Sequence, residues 1–241
     1  VRFLTRQLHP PREPEEYRLR SNGAVVLVRH GSPDVAALGE VFYEAQYEPP
    51  EEIAEALAEL GRPPTVLDLG ANVGYFSAFA TTRFPGAHVV AIEPDAENVP
   101  LLRRTAAANG WEWEVVEAAA TTADGEVPFA GGRFTYSRIE EGGEPVRAVD
   151  VLPFLARSHL AKIDIEGGEW AILGDERFAS VAPLALALEY HPYLVPDEGP
   201  DAASRRLLGA AGYDILSVLG LAPGQALVWA LRRTPQSTPA P

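Results

Sequence analysis

The run Thr65-Val66-Leu67-Asp68-Leu69-Gly70-Ala71-Asn72-Val73-Gly74-Tyr75-Phe76-Ser77 constrains this chain more than any other stretch. It opens as a short apolar segment of strand length. Gly70 and Gly74 break it, and helical character begins near Val73. A strand, a tight turn and a helix start therefore lie in one line. Glycine lets backbone approach a ligand with no Cβ in the way. The helix start offers unpaired N–H groups and a partial positive charge, which suit a carboxylate, a phosphate or a sugar hydroxyl. A plain tight connection would use the same glycines, but two acids favour a ligand. Asp68 sits at the strand's end, where a carboxylate in a dry loop needs a reason. Glu93 closes the apolar run that starts at His88, about 20 residues after Gly70, the spacing of the ribose reader in nucleotide-binding βαβ units.

Length and charge narrow the partners. At 241 residues the chain suits one large domain with a small extension. No run approaches the roughly 20 apolar residues that cross a bilayer, and no signal-peptide pattern opens the chain. Cysteine is absent, which excludes disulfides and thiolate metal sites and fits a cytoplasmic location. A net charge of −14 with no basic stripe argues against nucleic acid and anionic membranes as partners. Nothing in the sequence gives the oligomeric state.

The first 20 or so residues, rich in Pro and charge, read as an extended arm with no core of its own. Residues 24–28 read as a strand. Residues 41–50 carry three aromatics in a loop-like setting and are either core packing or a lid over a pocket. A helix follows from Glu51, ended by Gly61 and Pro63-Pro64. From Thr65 strands and helices alternate regularly, through the strand ending at Glu93, a helix from Pro94-Asp95 to Asn109-Gly110, and strands over 111–117, 161–165 and 184–190. The alternation predicts a doubly wound, mostly parallel sheet. The last two strands, 213–219 and 226–232, have no helix between them and must form an antiparallel hairpin. The expected division is an N-terminal arm, strand and lid helix over 1–62, a main domain over 63–233, and a disordered tail over 234–241.

Two motifs now carry a resemblance. Val66-Leu67-Asp68-Leu69-Gly70-Ala71-Asn72-Val73-Gly74 resembles the first motif of class I S-adenosylmethionine (SAM) methyltransferases. Lys162-Ile163-Asp164-Ile165-Glu166-Gly167-Gly168-Glu169 resembles the Lys-x-Asp-x-Glu-Gly-x-Glu signature of the FkbM-type family, and the segment around Asp150 resembles the one that precedes it. The resemblance implies a Rossmann-like α/β fold with a seven-stranded sheet and a C-terminal antiparallel hairpin. It implies SAM as methyl donor and an oxygen nucleophile on a small hydroxylated molecule, such as a sugar or polyketide-type natural product. Gly70, Ala71, Asn72, Gly74 and Tyr75 would then approach the methionine portion, with Asp68 near its ammonium. Glu93 would accept both ribose hydroxyls, with Pro94, Asp95, Ala118 and Ala119 beside the adenosine.

The carboxyl ends of the strands in such a sheet face the ligand crevice. Asp68, Glu93, Glu117, Asp164 and Glu189 all fall at such ends. Lys162 lies on the same strand face as Asp164; an ammonium there needs a partner, and an ion pair that sets geometry is the simpler reading over a direct catalytic one. Glu166 suits docking of a substrate hydroxyl. His191 is the candidate general base because imidazole titrates near neutrality; His88 and His159 fall at the opposite end of the sheet. Asp164, which also borders the cofactor, forms with Glu189 and His191 a mixed oxygen and nitrogen set that could hold a divalent cation. Two alternatives stay open: a NAD-dependent oxidoreductase, against which Asn72 stands in the place of the second fingerprint glycine, and a non-catalytic SAM-binding protein.

Overall fold

The computed structural model describes residues 2–132 and 137–233. In chain order the elements are α1 (Arg2–Leu8), β1 (Glu15–Arg18), β2 (Val25–Val28), α2 (Asp34–Phe42), α3 (Glu51–Ala58), β3 (Thr65–Leu69), α4 (Tyr75–Arg83), β4 (His88–Glu93), α5 (Val99–Asn109) and β5 (Glu114–Glu117). There follow β6 (Ala119–Thr121), β7 (Gly125–Ala130), β8 (Arg138–Ile139), β9 (Glu144–Asp150), α6 (Leu152–Ala156), β10 (Leu160–Ile163), α7 (Glu169–Gly174), α8 (Phe178–Val181), β11 (Ala185–Tyr190), α9 (Pro200–Ala210), β12 (Tyr213–Ala222) and β13 (Gln225–Arg232). The tail expected over 234–241 lies outside the described residues.

The large sheet runs β12-β13-β11-β10-β3-β4-β5. Strands β3, β4, β5, β10 and β11 are parallel to one another, while β13 runs antiparallel to β11 and to β12. The chain leaves β3 toward β5 on one side and returns through β10 toward β11 on the other. The order reverses between β3 and β10, which is where ligands bind in open α/β sheets.

Alternation along the strands divides the interior. Leu67, Leu69, Val90, Ile92, Leu186 and Leu188 pack on one face with residues of α6 to α9. Val66, Val89, Ala185, Ala187 and Trp229 pack on the other with Ile53, Leu57, Phe76 and the buried strand β2. Period-two alternation of apolar side chains with burial on both faces is what a covered parallel sheet requires.

The N-terminal residues depart from the expected arm. Residues 2–8 are helical, and β1 pairs antiparallel with β2 from Glu15↔Val28 to Arg18↔Val25. Phe3, Tyr17 and His30 meet edge to face at 4.9–5.4 Å, so the segment has apolar partners of its own. Ser32 and Pro33 lead into helix α2, which has no counterpart among the elements expected from sequence and whose Leu38 and Val41 are buried. Strands β6 to β9 build a second sheet in the order β6-β9-β7-β8.

Two side chains meet the open edge of β2: Tyr75 donates its hydroxyl to the Leu27 carbonyl at 2.7 Å, and Asn109 bonds Val25. Asn109, the last residue of α5, accepts the Val25 N–H at 2.7 Å and donates to the Val25 carbonyl at 2.7 Å. It mimics a strand partner. Asn109→Ala leaves both groups of the buried Val25 unpaired and should destabilise the fold by about 2 kcal/mol, read from urea unfolding. An unchanged midpoint would show that the hairpin is held by its apolar contacts alone.

Candidate active site

The switch point is built on a buried ammonium. Lys162 on β10 pairs in register with Asp68 on β3, which places the two side chains on one face. Its Nζ lies 3.3 Å from Asp68 Oδ1 and 3.2 Å from Asp164 Oδ2, and it donates to the carbonyl oxygens of Leu69 at 3.4 Å and Gly70 at 2.9 Å. Burial opposes its charge, yet Asp164 and Asp68 outweigh that and hold the ammonium above its ordinary pKa. Lys162 thus ties the glycine loop to β10. Gly70 sits at φ +74°, and a Cβ there would stand 1.9 Å from the Asp164 carbonyl oxygen. Only glycine allows this approach.

Above the loop opens a cavity of about 330 Å³. At one end it is lined by Gly70, Ala71, Asn72, Tyr75, Glu93 and Pro94, with Ala119 beside them. Glu93 is buried. Its Oε2 accepts the Asn72 N–H at 2.8 Å; its Oε1 accepts the Asp95 N–H at 3.0 Å and the Asn98 amide at 3.2 Å. Burial pushes its pKa up to about 7, offset in part by those donors. Asp68 Oδ1 and Asn72 Oδ1 are buried with no hydrogen-bond partner among the described residues. Asn72 also holds φ +49°, a conformation costly for a non-glycine residue.

Past Lys162 and Asp164, which touch Gly70, the cavity is lined by Tyr47, Glu166, Glu189 and Gln225. Glu189 is fully engaged: Tyr47 donates its hydroxyl to Oε2 at 2.7 Å and Gln225 its amide to Oε1 at 2.7 Å. Burial and then Asp164 raise its pKa to about 7. Glu166, at φ +54°, accepts no hydrogen bond among the described residues and faces His191 Nε2 at 3.6 Å. Burial raises its pKa to about 7 as well, while His191 lowers it.

His191 lies behind these carboxylates and does not line the cavity. Buried Glu169 accepts its backbone N–H at 2.6 Å and faces Nδ1 at 3.2 Å. Burial lowers the imidazole pKa, but Glu169, Asp164 and Glu166 raise it to about 9. The ring is held among these acids and away from the cavity, which sits poorly with the role of general base.

The remaining expected residues divide. Asp68 lies beneath the loop, where Ser77 donates to its Oδ2 at 2.7 Å. Gly74 packs against Leu102 and Trp113, and Ala118 is buried off the cavity. Asp95 stands below the rim and accepts from Gly132 N at 2.8 Å and Ser137 Oγ at 2.9 Å, tying down the neighbouring loop. Glu117 is a correction: it lies on the edge strand β5, exposed, with its carboxylate 3.3 Å from Arg103. Glu40, Asn98 and Gln225 line the cavity without a signal in the sequence.

The ligand atoms of Asp164, Glu189 and His191 lie within 4.8 Å of one another. They already have partners. Lys162 takes Asp164, and the Gln225 amide nitrogen stands between Glu189 Oε1 and His191 Nε2, 3.3 Å from the latter. This arrangement does not fit an open divalent-cation site, and no step below uses one.

A model of the methyltransferase FkbM domain matches residues 68–215 of this chain, well over half of it. The chain belongs to the FkbM methyltransferase family. No curated protein matches it by sequence. Solved structures similar to this FkbM-family chain include WbdD bound to a kinase inhibitor, 20% identical at TM-score 0.48, covering 76% of this chain and 39% of that one. Another is the magnesium protoporphyrin IX methyltransferase of Synechocystis PCC 6803 with bound SAM, 17% identical at TM-score 0.44, covering 76% and 79%. The tRNA (uracil-54, C5)-methyltransferase of Pyrococcus abyssi with S-adenosyl-L-homocysteine is 16% identical at TM-score 0.48, covering 91% and 44%. The chain thus spans less than half the length of two of these three.

The electrostatics predict a pH dependence of stability. Glu93, Glu166 and Glu189 are each raised from 4.5 to about 7, and His191 from 6.5 to about 9. A raised folded-state pKa contributes stability below the unfolded value and loses it as pH climbs through the folded value. The melting temperature of the ligand-free protein should therefore fall from pH 5 to 7 and further toward 9. Glu93→Gln should flatten the lower part of that slope. A slope in Glu93→Gln equal to wild type would show that Glu93 titrates in its ordinary range.

Proposed function

We propose that this FkbM-family chain transfers the methyl group of SAM to a hydroxyl oxygen of a small hydroxylated acceptor. The observation that carries the reading is one cavity joining the Gly70–Asn72 loop and Glu93 at one end to Glu166 and Glu189 at the other. The first end fits SAM. Glu93 presents a carboxylate to the cavity for the ribose hydroxyls, and the buried Asn72 Oδ1, with no partner among the described residues, suits an ammonium. Bound there, SAM supplies an electrophilic methyl carbon.

The chain's own residues supply position and a proton acceptor. In-line displacement at carbon gains most from holding the acceptor oxygen against the methyl group. Tyr47 and Gln225 fix Glu189, so that it can orient a hydroxyl without moving. Glu166 is the better general base than His191: its carboxylate accepts no hydrogen bond among the described residues, lines the cavity, and has a pKa raised to about 7, near an operating pH. The acceptor O–H gives its proton to Glu166 as the oxygen–carbon bond forms and the carbon–sulfur bond breaks, leaving S-adenosyl-L-homocysteine and a methyl ether. His191, held among four carboxylates that raise its pKa, eases their mutual repulsion. A sugar or polyketide-type acceptor and a cytoplasmic setting remain part of this proposal, carried by the resemblance alone. The methyltransferase family separates the chain from the NAD-dependent alternative.

Turnover of hydroxylated acceptors, followed as S-adenosyl-L-homocysteine formed from SAM, tests the assignment. Glu166→Gln should lower kcat by about 10²–10⁴-fold while S-adenosyl-L-homocysteine binds as in wild type. The rise of wild-type kcat/KM through pH 7 should vanish in that variant. Full activity in Glu166→Gln, or a loss of activity accounted for by weaker cofactor binding alone, would return the base role to Glu189 or His191.

A further inference from the structure

A buried hydrogen-bond chain joins the N-terminal segment to Glu93. It begins at Asp34, fully buried in the first turn of α2. Arg29 clasps that carboxylate twice, Nε to Oδ2 at 2.8 Å and Nη2 to Oδ1 at 2.8 Å, and its backbone N–H adds a third bond at 3.1 Å. The same Nη2 donates to Asn98 Oδ1 at 2.9 Å. Asn98 then donates its amide N–H to Glu93 Oε1 at 3.2 Å. Asn98 is 1% exposed and its side-chain amide cannot turn freely: accepting from Arg29 on its oxygen forces its nitrogen toward Glu93.

We propose that Arg29 and Asn98 are positioning residues for ribose recognition, with Arg29 supplied by a segment outside the matched domain. The proposal rests on the reading that SAM binds beside Glu93. Glu93 has two oxygens and must hold one edge toward the cavity. The Asn98 and Asp95 donors anchor Oε1, and Asn72 anchors Oε2 from the loop side. Without Asn98 the buried carboxylate loses one of three donors and can rotate. Without Arg29 the Asn98 amide loses the acceptor bond that orients it. The same ion pair fixes the start of α2, whose Ala36, Ala37 and Glu40 line the cavity wall. The wall and the ribose acceptor are therefore set by one network, and residues 29–40 are part of the cofactor site rather than an appendage.

Calorimetric titration with S-adenosyl-L-homocysteine and with its 2′-deoxy analogue tests this. Wild type should bind the ribose form more tightly. Asn98→Ala should weaken the ribose form about tenfold and the deoxy form less than twofold, erasing the preference. Arg29→Ala leaves Asp34 buried and unpaired and is prone to misfold; Arg29→Met/Asp34→Leu removes the pair without an orphaned charge and should erase the preference in the same way. Adding Asn98→Ala to that double variant should cost little more, since both act on one link. Equal weakening of the two nucleosides, or unchanged affinity for both, would overturn the positioning role. No binding of either nucleoside by wild type would instead refute the SAM reading itself.

Discussion

The Lys162 ammonium is the contact on which the rest depends. Removing a charge from water costs several kcal/mol unless its partners are nearly ideal. Here two carboxylates and two carbonyls surround it, and each belongs to a different part of the switch point. Asp68 and Leu69 end β3, Gly70 begins the loop, and Asp164 follows β10. One cation therefore sets the separation of the two central strands' ends and the path of the glycine loop. That path in turn brings the Gly70 backbone against Asp164, with no room for a side chain.

Around this anchor the chain gathers more negative charge than it neutralises. Asp164, Glu166, Glu169 and Glu189 surround His191, and Glu40 enters from α2 with a pKa raised by burial, Glu44 and Asp164. Apolar burial and mutual repulsion lift several of these acids toward neutrality. Such a site suits a cationic sulfonium and a proton that must leave a hydroxyl. Backbone strain is placed in the same region: of the described non-glycine residues with positive φ, Asn72 and Glu166 both line the cavity. Strain of this kind persists where surrounding contacts over-determine the conformation.

The parts of the fold legible in the sequence were those written in local pattern. The apolar runs ending in Asp68, Glu93, Asp164 and Glu189, and the glycines between β3 and α4, follow from strand length and backbone freedom. The N-terminal segment was not legible. Helix α1 has no acidic first turn and is followed by His9-Pro10-Pro11, which reads as extended chain. Tyr47 meets Glu189 across 142 residues of sequence, and Gln225 meets it from the C-terminal hairpin. No local spacing encodes either contact. Glu117 misled for the opposite reason: its position at a strand end is right, but β5 is the sheet's edge and its side chain has solvent to face. His191 was read from its ordinary titration range, which the Glu169 carboxylate changes.

A crystal structure with S-adenosyl-L-homocysteine tests the central claim most directly. The account predicts both ribose hydroxyls about 3 Å from the Glu93 carboxylate, the amino-acid end against the Gly70–Asn72 backbone, and the sulfur turned toward Glu166. A nucleoside lodged elsewhere, or a ribose turned away from Glu93, would contradict it.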